Sequence, residues 1–240
     1  MFVNLLEYCS GKSIDQLLSD HNVSINKNAF SDTADYNVLA CNALGIINGI
    51  GGGKFGPDDT LQRAQIAAII NRVARTLGKN TDGYSHPFTD VSGHWCSPEL
   101  GWPVANGVIN GIGDNKFDPN TELSVEQAIC ITYRAVKPLY YVRKANDALK
   151  ELKSLLKNPA SLQVHSVRVY IYDAAAGHMT PIEIDYSAMN SLGGYNRNYY
   201  IYFYEGAFGN HSAKSTLGNS LRSDIKYQTI EIDLSLLNIN

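Results

Sequence analysis

The stretch Gly45–Val73 reads GIINGIGGGKFGPDDTLQRAQIAAIINRV, and Gly107–Ala135 reads GVINGIGDNKFDPNTELSVEQAICITYRA. Laid over one another at an offset of 62, they share Gly45, Ile47, Asn48, Gly49, Ile50, Gly51, Lys54, Phe55, Pro57, Leu61, Gln65 and Arg72. Ordinary residue usage gives about two matches by chance in such a window. The chain therefore carries an internal duplication, and that decides the architecture before any single helix is considered. The likeness continues upstream: Phe30-Ser31-Asp32 opens one copy and Phe88-Thr89-Asp90-Val91 the other, which has four more residues before its Gly107. Phe2–Cys9 (FVNLLEYC) overlays Ile66–Val73 by apolar spacing, as the closing helix of a further, partial copy.

Within each copy the residues predict helix, glycine-rich turn, helix. Asn37–Leu44 and Pro98–Ala105 form the first helix, stopped at Gly45 and at Asn106 or Gly107. Asn48–Pro57 and Asn110–Pro119 hold too many turn formers for a helix, and Phe55 and Phe117 are placed to anchor the loop. The second helix is capped from Asp59-Thr60 or Ser124 and shows an apolar face in Ile66, Ile69, Ile70 and Val73, or in Ala128, Ile129, Ile131 and Ala135. Units this short bury little surface alone, so neighbouring copies must pack together.

The motifs Phe88-Thr-Asp-Val-Ser-Gly-His94-Trp95, Trp102-Pro-Val-Ala-Asn-Gly107-Val-Ile-Asn-Gly111, Phe117-Asp-Pro119 and Glu126-Gln127-Ala128 resemble an S-layer homology repeat, and Phe30 through Gln65 resembles it as well. The resemblance covers about residues 30–138. It implies repeats grouped about a pseudo-threefold axis with grooves between them, holding a secreted protein to the bacterial surface by binding a pyruvylated wall polysaccharide. It places the ligand-contacting arginine of a Thr-Arg-Ala-Glu-like motif at Arg63, within Leu61-Gln62-Arg63-Ala64-Gln65. The second copy departs from that motif with Leu123-Ser124-Val125-Glu126-Gln127, so Val125 stands where an arginine is expected. The candidate polysaccharide-binding set is thus Arg63, Gln65, Trp102 and Gln127. Guanidinium suits a ketal-linked carboxylate through paired hydrogen bonds; the competing reading pairs Arg63 with Asp58 or Asp59. Trp102 is either a sugar platform or a core residue, while Trp95 and His94 read as structural.

Bulk properties exclude other classes. A net charge of −3 gives no electrostatic reason to bind nucleic acid or an anionic membrane. No apolar run approaches the roughly 20 residues of a membrane span, so membrane insertion is not expected. MFVNLLEY at the start has no basic region or cleavage site, so an export signal is expected outside this chain. Cys9, Cys41, Cys96 and Cys130 have no metal-ligand spacing and read as buried helical thiols, an even count leaving disulfides open. Gly113–Asn120 lacks the sixth-position glycine and closing glutamate of a calcium loop, and no phosphate-binding or hydrolase signature is present. Neither a metal nor a cofactor is implied.

Beyond residue 138 the pattern changes. Val142, Ala145, Leu149, Leu152 and Leu156 predict an amphipathic helix over 139–157 ending before Asn158-Pro159. From there Val167–Ile171, Tyr199–Tyr204 and Thr229–Leu234 alternate with period two, giving three or four strands. Nine tyrosines after residue 162 leave room for a protein or carbohydrate partner of this β domain, or simply suit strands. Asp173, Glu183, Asp185 and Glu205 offer a carboxylate pair in principle, yet about 80 residues is small for glycoside chemistry. The expected class is α+β: a repeat tail over 1–28, repeats over 29–78 and 86–138, a linker helix over 139–158 and an antiparallel β domain over 163–240. The expected role is non-catalytic surface anchoring. Two alternatives stand beside it: an adhesin or assembly module on a degenerate repeat scaffold, and part of a wall-active hydrolase whose catalytic domain lies elsewhere.

Overall fold

A computed structural model describes residues 1–172, 181–202, 210–212, 227–234, 237 and 239. The chain divides into two units, Met1–Tyr140 and Tyr141–Asn240.

The first unit is helical. Helix α1 (Phe2–Ser10) ends on Gly11 at φ 70°, whose N–H closes on the Glu7 carbonyl. Helix α2 (Ile14–Asp20) starts from Ser13 and Gln16, each side chain bonded to the other's backbone N–H. The first repeat holds α3 (Tyr36–Ala43) and α4 (Arg63–Thr76); the second holds α5 (Ser97–Ala105) and α6 (Val125–Val136). Ser124 caps α6 as its sequence suggests. Asp59 and Thr60 do not cap α4; the chain stays non-helical to Gln62, because residues 61–63 are drawn into backbone pairing with the second repeat.

The duplication survives as identical wiring. In both loops the opening Phe-x-Asp folds back on the glycine turn. Asp32 accepts the N–H groups of Phe55 at 2.8 Å and Gly56 at 2.9 Å, and Asp90 accepts those of Phe117 at 2.9 Å and Asp118 at 2.8 Å. Gly49 explains one invariant of the repeat. Its φ is +75°, and an added Cβ would lie 2.7 Å from the Phe30 ring and closer still to the Lys54 carbonyl oxygen. Gly111 occupies the matching place beside Phe88 and the Lys116 carbonyl.

The repeats are joined by main chain and by charge. Arg63 N–H donates to Thr121 O at 3.0 Å, Ala64 N–H to Pro119 O at 2.9 Å and Leu123 N–H to Leu61 O at 2.8 Å, a short antiparallel bridge at Gln62 and Glu122. Alongside it α4 packs on α5. There Glu99 receives Asn71 Nδ2 at 2.6 Å and Arg72 Nε at 2.9 Å. Leu6, Ile46, Ile66, Ile70, Leu100 and Phe117 fill the core of this unit, and α1 lies against α2, α3 and α6.

Sequence and structure also part company at Ile129, Cys130 and Cys96. Ile129 does not join the core face of α6 but is 55% exposed. Cys130 is exposed rather than buried, and Cys96 stands just ahead of α5 rather than inside it. All four thiols are free, and burial pushes those of Cys41 and Cys96 up to about 11, which keeps them protonated and inert.

In the second unit a π turn that begins in the first (Lys137–Tyr141) leads into α7 (Val142–Leu155), shorter at both ends than its apolar spacing suggests. Its buried face of Val142, Ala145, Ala148, Leu149 and Leu152 rests on the sheet, and Tyr200 donates its hydroxyl to Glu151 at 2.8 Å. The sheet is antiparallel throughout, ordered β4-β3-β2-β1-β5. The strands are β1 (Gln163–Tyr172), β2 (Ile182–Met189), β3 (Tyr195–Tyr202), β4 (Asn210–Ser212) and β5 (Tyr227–Ile232). Strand β2 sits at the centre with period-two alternation of Ile182, Ile184 and Tyr186 against Glu183 and Asp185, which are acids unusual for a strand buried on both faces.

Candidate ligand groove between the repeats

Arg63 is the first residue of α4, so the register of that helix fixes where its side chain emerges. It does not pair with Asp58 or Asp59. Instead it reaches into the loop of the second repeat: Nε donates to Phe117 O at 2.9 Å, Nη2 donates to Asn110 O at 2.9 Å, and the guanidinium lies 4.8 Å above the Phe117 ring. Burial lowers the Arg63 pKa from its ordinary value while the Asp118 and Asp90 carboxylates oppose the shift, so the group stays cationic at neutral pH. Two of its donors are committed to carbonyls, which orients the guanidinium; Nη1 makes no hydrogen bond among the described residues. The first N–H groups of α4 are not available to a ligand, being bonded to Thr121, Pro119 and Gln62. Negative charge arriving here would meet the guanidinium edge rather than the helix terminus.

A larger groove, about 860 Å³, runs along the first repeat. Its walls include Asn48, Phe55, Asp59, Gln62, Gln65, Arg72 and, from the second repeat, Trp95. Gln65 uses its side-chain oxygen to accept the Gln62 N–H at 2.8 Å, leaving its amide N–H₂ for other partners. Gln127 has the same capping duty, accepting Ser124 N–H at 3.0 Å, but it is exposed and does not line this groove. Of the two tryptophans, Trp102 takes the core role of its two readings, and Trp95, read as structural, is the one at the surface. Trp102 is 4% exposed inside the core of α5, with both ring faces covered, whereas Trp95 is 52% exposed and forms groove wall. The reason is local: Trp95 precedes α5 on the turn set by His94, whose Nδ1 bonds Cys96, while Trp102 lies one turn further on with Leu100 and Pro103 in the buried layer. Arg63 and Gln65 therefore belong to neighbouring surfaces of one helix start, Gln127 stands apart, and Trp102 is buried in the core. Val125, in the position equivalent to Arg63, is 72% exposed and brings no charge.

In the second unit, the two described carboxylates of the expected set each have an arginine partner. Glu183 is bonded to Arg168 at 3.2 Å and Tyr170 at 3.3 Å, and Asp185 is held by Arg197 through bonds of 2.8 and 2.6 Å. Each charge is neutralised by its own arginine; the Arg197 bonds hold Asp185 below the usual carboxylate range. Asp173 and Glu205 lie outside the described residues. Among those residues no group of histidine, cysteine or carboxylate side chains is arranged to hold a metal ion, and no helix is long and apolar enough to cross a membrane.

The first unit is thus a tandem helix–loop–helix repeat protein whose copies clasp each other by main chain, with a groove along the first copy that Trp95 of the second helps to wall. Residues 30–67 and 87–129 both match the family described as S-layer homology domain. Over 114 residues the chain is 35% identical to a cell surface protein of Thermoanaerobacter kivui, covering 44% of this chain and 15% of that protein. It is 31% identical over 97 residues to a middle cell wall protein of Brevibacillus brevis, covering 39% of this chain and 9% of the relative. With a cellulosome-anchoring protein of Acetivibrio thermocellus it shares 27% identity over 94 residues, 38% of this chain and 21% of the relative. The chain thus spans about a fifth or less of the length of these relatives. An endoglucanase of a Bacillus species is similar too, at 28% over 94 residues.

Proposed function

We propose that this chain anchors a larger protein non-catalytically to the outside of a bacterial cell, by gripping an acidic wall polysaccharide in the grooves between its repeats. The names of the relatives support surface anchoring, and the enzyme among them fits a module that is attached to diverse cargo. The observation that carries the reading is Arg63: a cation oriented by two backbone carbonyls and an aromatic ring, with an edge left over, at the seam of two repeats. A ketal-linked pyruvate offers the matching carboxylate, and Trp95 with Gln65 offers an apolar face and an amide for a neighbouring sugar. The packing of α1 on α3 and α6 supports a pseudo-threefold arrangement in which α1 takes the place of a third closing helix.

One charge-assisted contact contributes about 1.5–3 kcal/mol, so a single groove binds weakly and firm attachment needs several acting together. Co-sedimentation of the chain with bacterial wall sacculi tests the proposal. Binding should vanish when the secondary polysaccharide is stripped, and Arg63→Ala should weaken it by about tenfold or more. If the chain stays in the supernatant with every acidic-polysaccharide wall, the anchor reading fails. The exposed Val125 supports a second reading, a scaffold of degenerate repeats whose β domain meets a protein partner; that reading requires sedimentation to be indifferent to Arg63.

A further inference from the structure

Helices α4 and α6 are duplicates, yet their outer faces live differently. In α4 the positions Ala67 and Asn71 are 0% and 1% exposed beneath the second repeat, where α5 packs. Their equivalents in α6 are Ile129 and Tyr133, exposed by 55% and 65% and continuous with Val125. A helix face that is covered in one copy is, in the other, apolar and open. It borders a groove of about 430 Å³ lined by Met1, Tyr8, Ile129 and Tyr133, which widens the apolar surface.

Charge selects the occupant. Glu122 and Glu126 lie at the start of this face and Arg134 and Lys137 at its end, all exposed, and none of the four joins an ion pair among the described residues. A parallel copy would set like against like. An antiparallel copy, related by a twofold axis near Ile129 and Cys130, sets Glu126 against the partner's Arg134 and Glu122 against the partner's Lys137, with the apolar stripe between them. Helices α3 and α5 of a second copy are already packed within their own molecule, which leaves α6 itself as the matching surface. We propose that α6 is a self-association face through which two copies of this chain pair antiparallel. The contact is isologous and small, so the dimer is weak, and it doubles the number of wall-binding grooves per assembly.

Sedimentation equilibrium of the full chain reads this directly. The chain should dimerise reversibly, more weakly as salt is raised. Glu126→Arg and Arg134→Glu should each weaken the dimer by about tenfold, and combining them should restore it to within about threefold, because the pair is merely exchanged. Circular dichroism should stay unchanged, these being surface positions. Copper-catalysed air oxidation should link copies through Cys130, each pair of thiols giving up two protons and two electrons to oxygen, and Cys130→Ser should abolish the link. A chain that stays monomeric to about 1 mM overturns the proposal and leaves the face to a further repeat of the same polypeptide. So does a double variant no better than the single ones.

Discussion

Three glycines separate two physical costs that are usually confounded. Gly45 has φ +72° and open space around an added Cβ, so Gly45→Ala meets only the left-handed penalty, about 1 kcal/mol. Gly111 is not left-handed, but its added Cβ would lie 2.5 Å from the Phe88 ring and 2.6 Å from the Lys116 carbonyl oxygen. There Gly111→Ala meets only overpacking, about 1–3 kcal/mol as the loop and the ring give way. Gly49 meets both, with φ +75° and overlap against Phe30 and Lys54, so Gly49→Ala should cost about 3–4 kcal/mol. Urea titration followed by circular dichroism, fitted for the repeat unit, gives the three values. In melting temperature the Gly49→Ala loss corresponds to about 10 °C for a unit of 140 residues. Equal losses at Gly45 and Gly49 would refute the close approach of Phe30 and Lys54, and with it the account of why both loops keep this glycine.

Two further outcomes follow from the joints and clasps of the fold. Glu99→Gln removes the charge that holds Arg72 and Asn71 across the repeat boundary; because the pair is mostly buried, unfolding free energy should fall by about 2–3 kcal/mol, with a coupling in the Arg72→Met cycle that vanishes if the pair is ornamental. Backbone donors hold the Asp32 and Asp90 carboxyls below their ordinary values. Depressed carboxylates stabilise above their unfolded pKa and lose that contribution as pH falls through the folded value, so the loops should loosen only below about pH 4. Amide exchange at Phe55 and Phe117 reports this; Asp32→Asn should flatten the profile at Phe55, and a loosening already complete at pH 5 would contradict it.

The loops were legible in the sequence because the residues that repeat are those that bond each other: Phe30, Asp32, Gly49 and Phe55 are both motif and mechanism. The position of Arg63 was legible for the same reason, but its partners were not, since Phe117 and Asn110 lie 54 and 47 residues away and no local rule selects carbonyls over the adjacent Asp58 and Asp59. The tryptophans show another limit. Both stand near a short helix, and apolar spacing cannot tell which side a neighbouring repeat will cover. Ile129 matches Ala67 in register and differs only in what lies opposite. Strand β2 escaped notice because its acids find their arginines on β1 and β3, pairings that exist only after the sheet has formed.

The bridge between Leu61–Ala64 and Pro119–Leu123 is made of carbonyls and N–H groups alone. A coupling of that kind is indifferent to what each residue carries as a side chain. Side chains on this strand pair can therefore change without loosening the bridge itself, and Val125 stands in the second copy where the first has Arg63. At this bridge the two repeats meet as lengths of backbone, so the joint there carries over unchanged whichever side chains the neighbouring segments present.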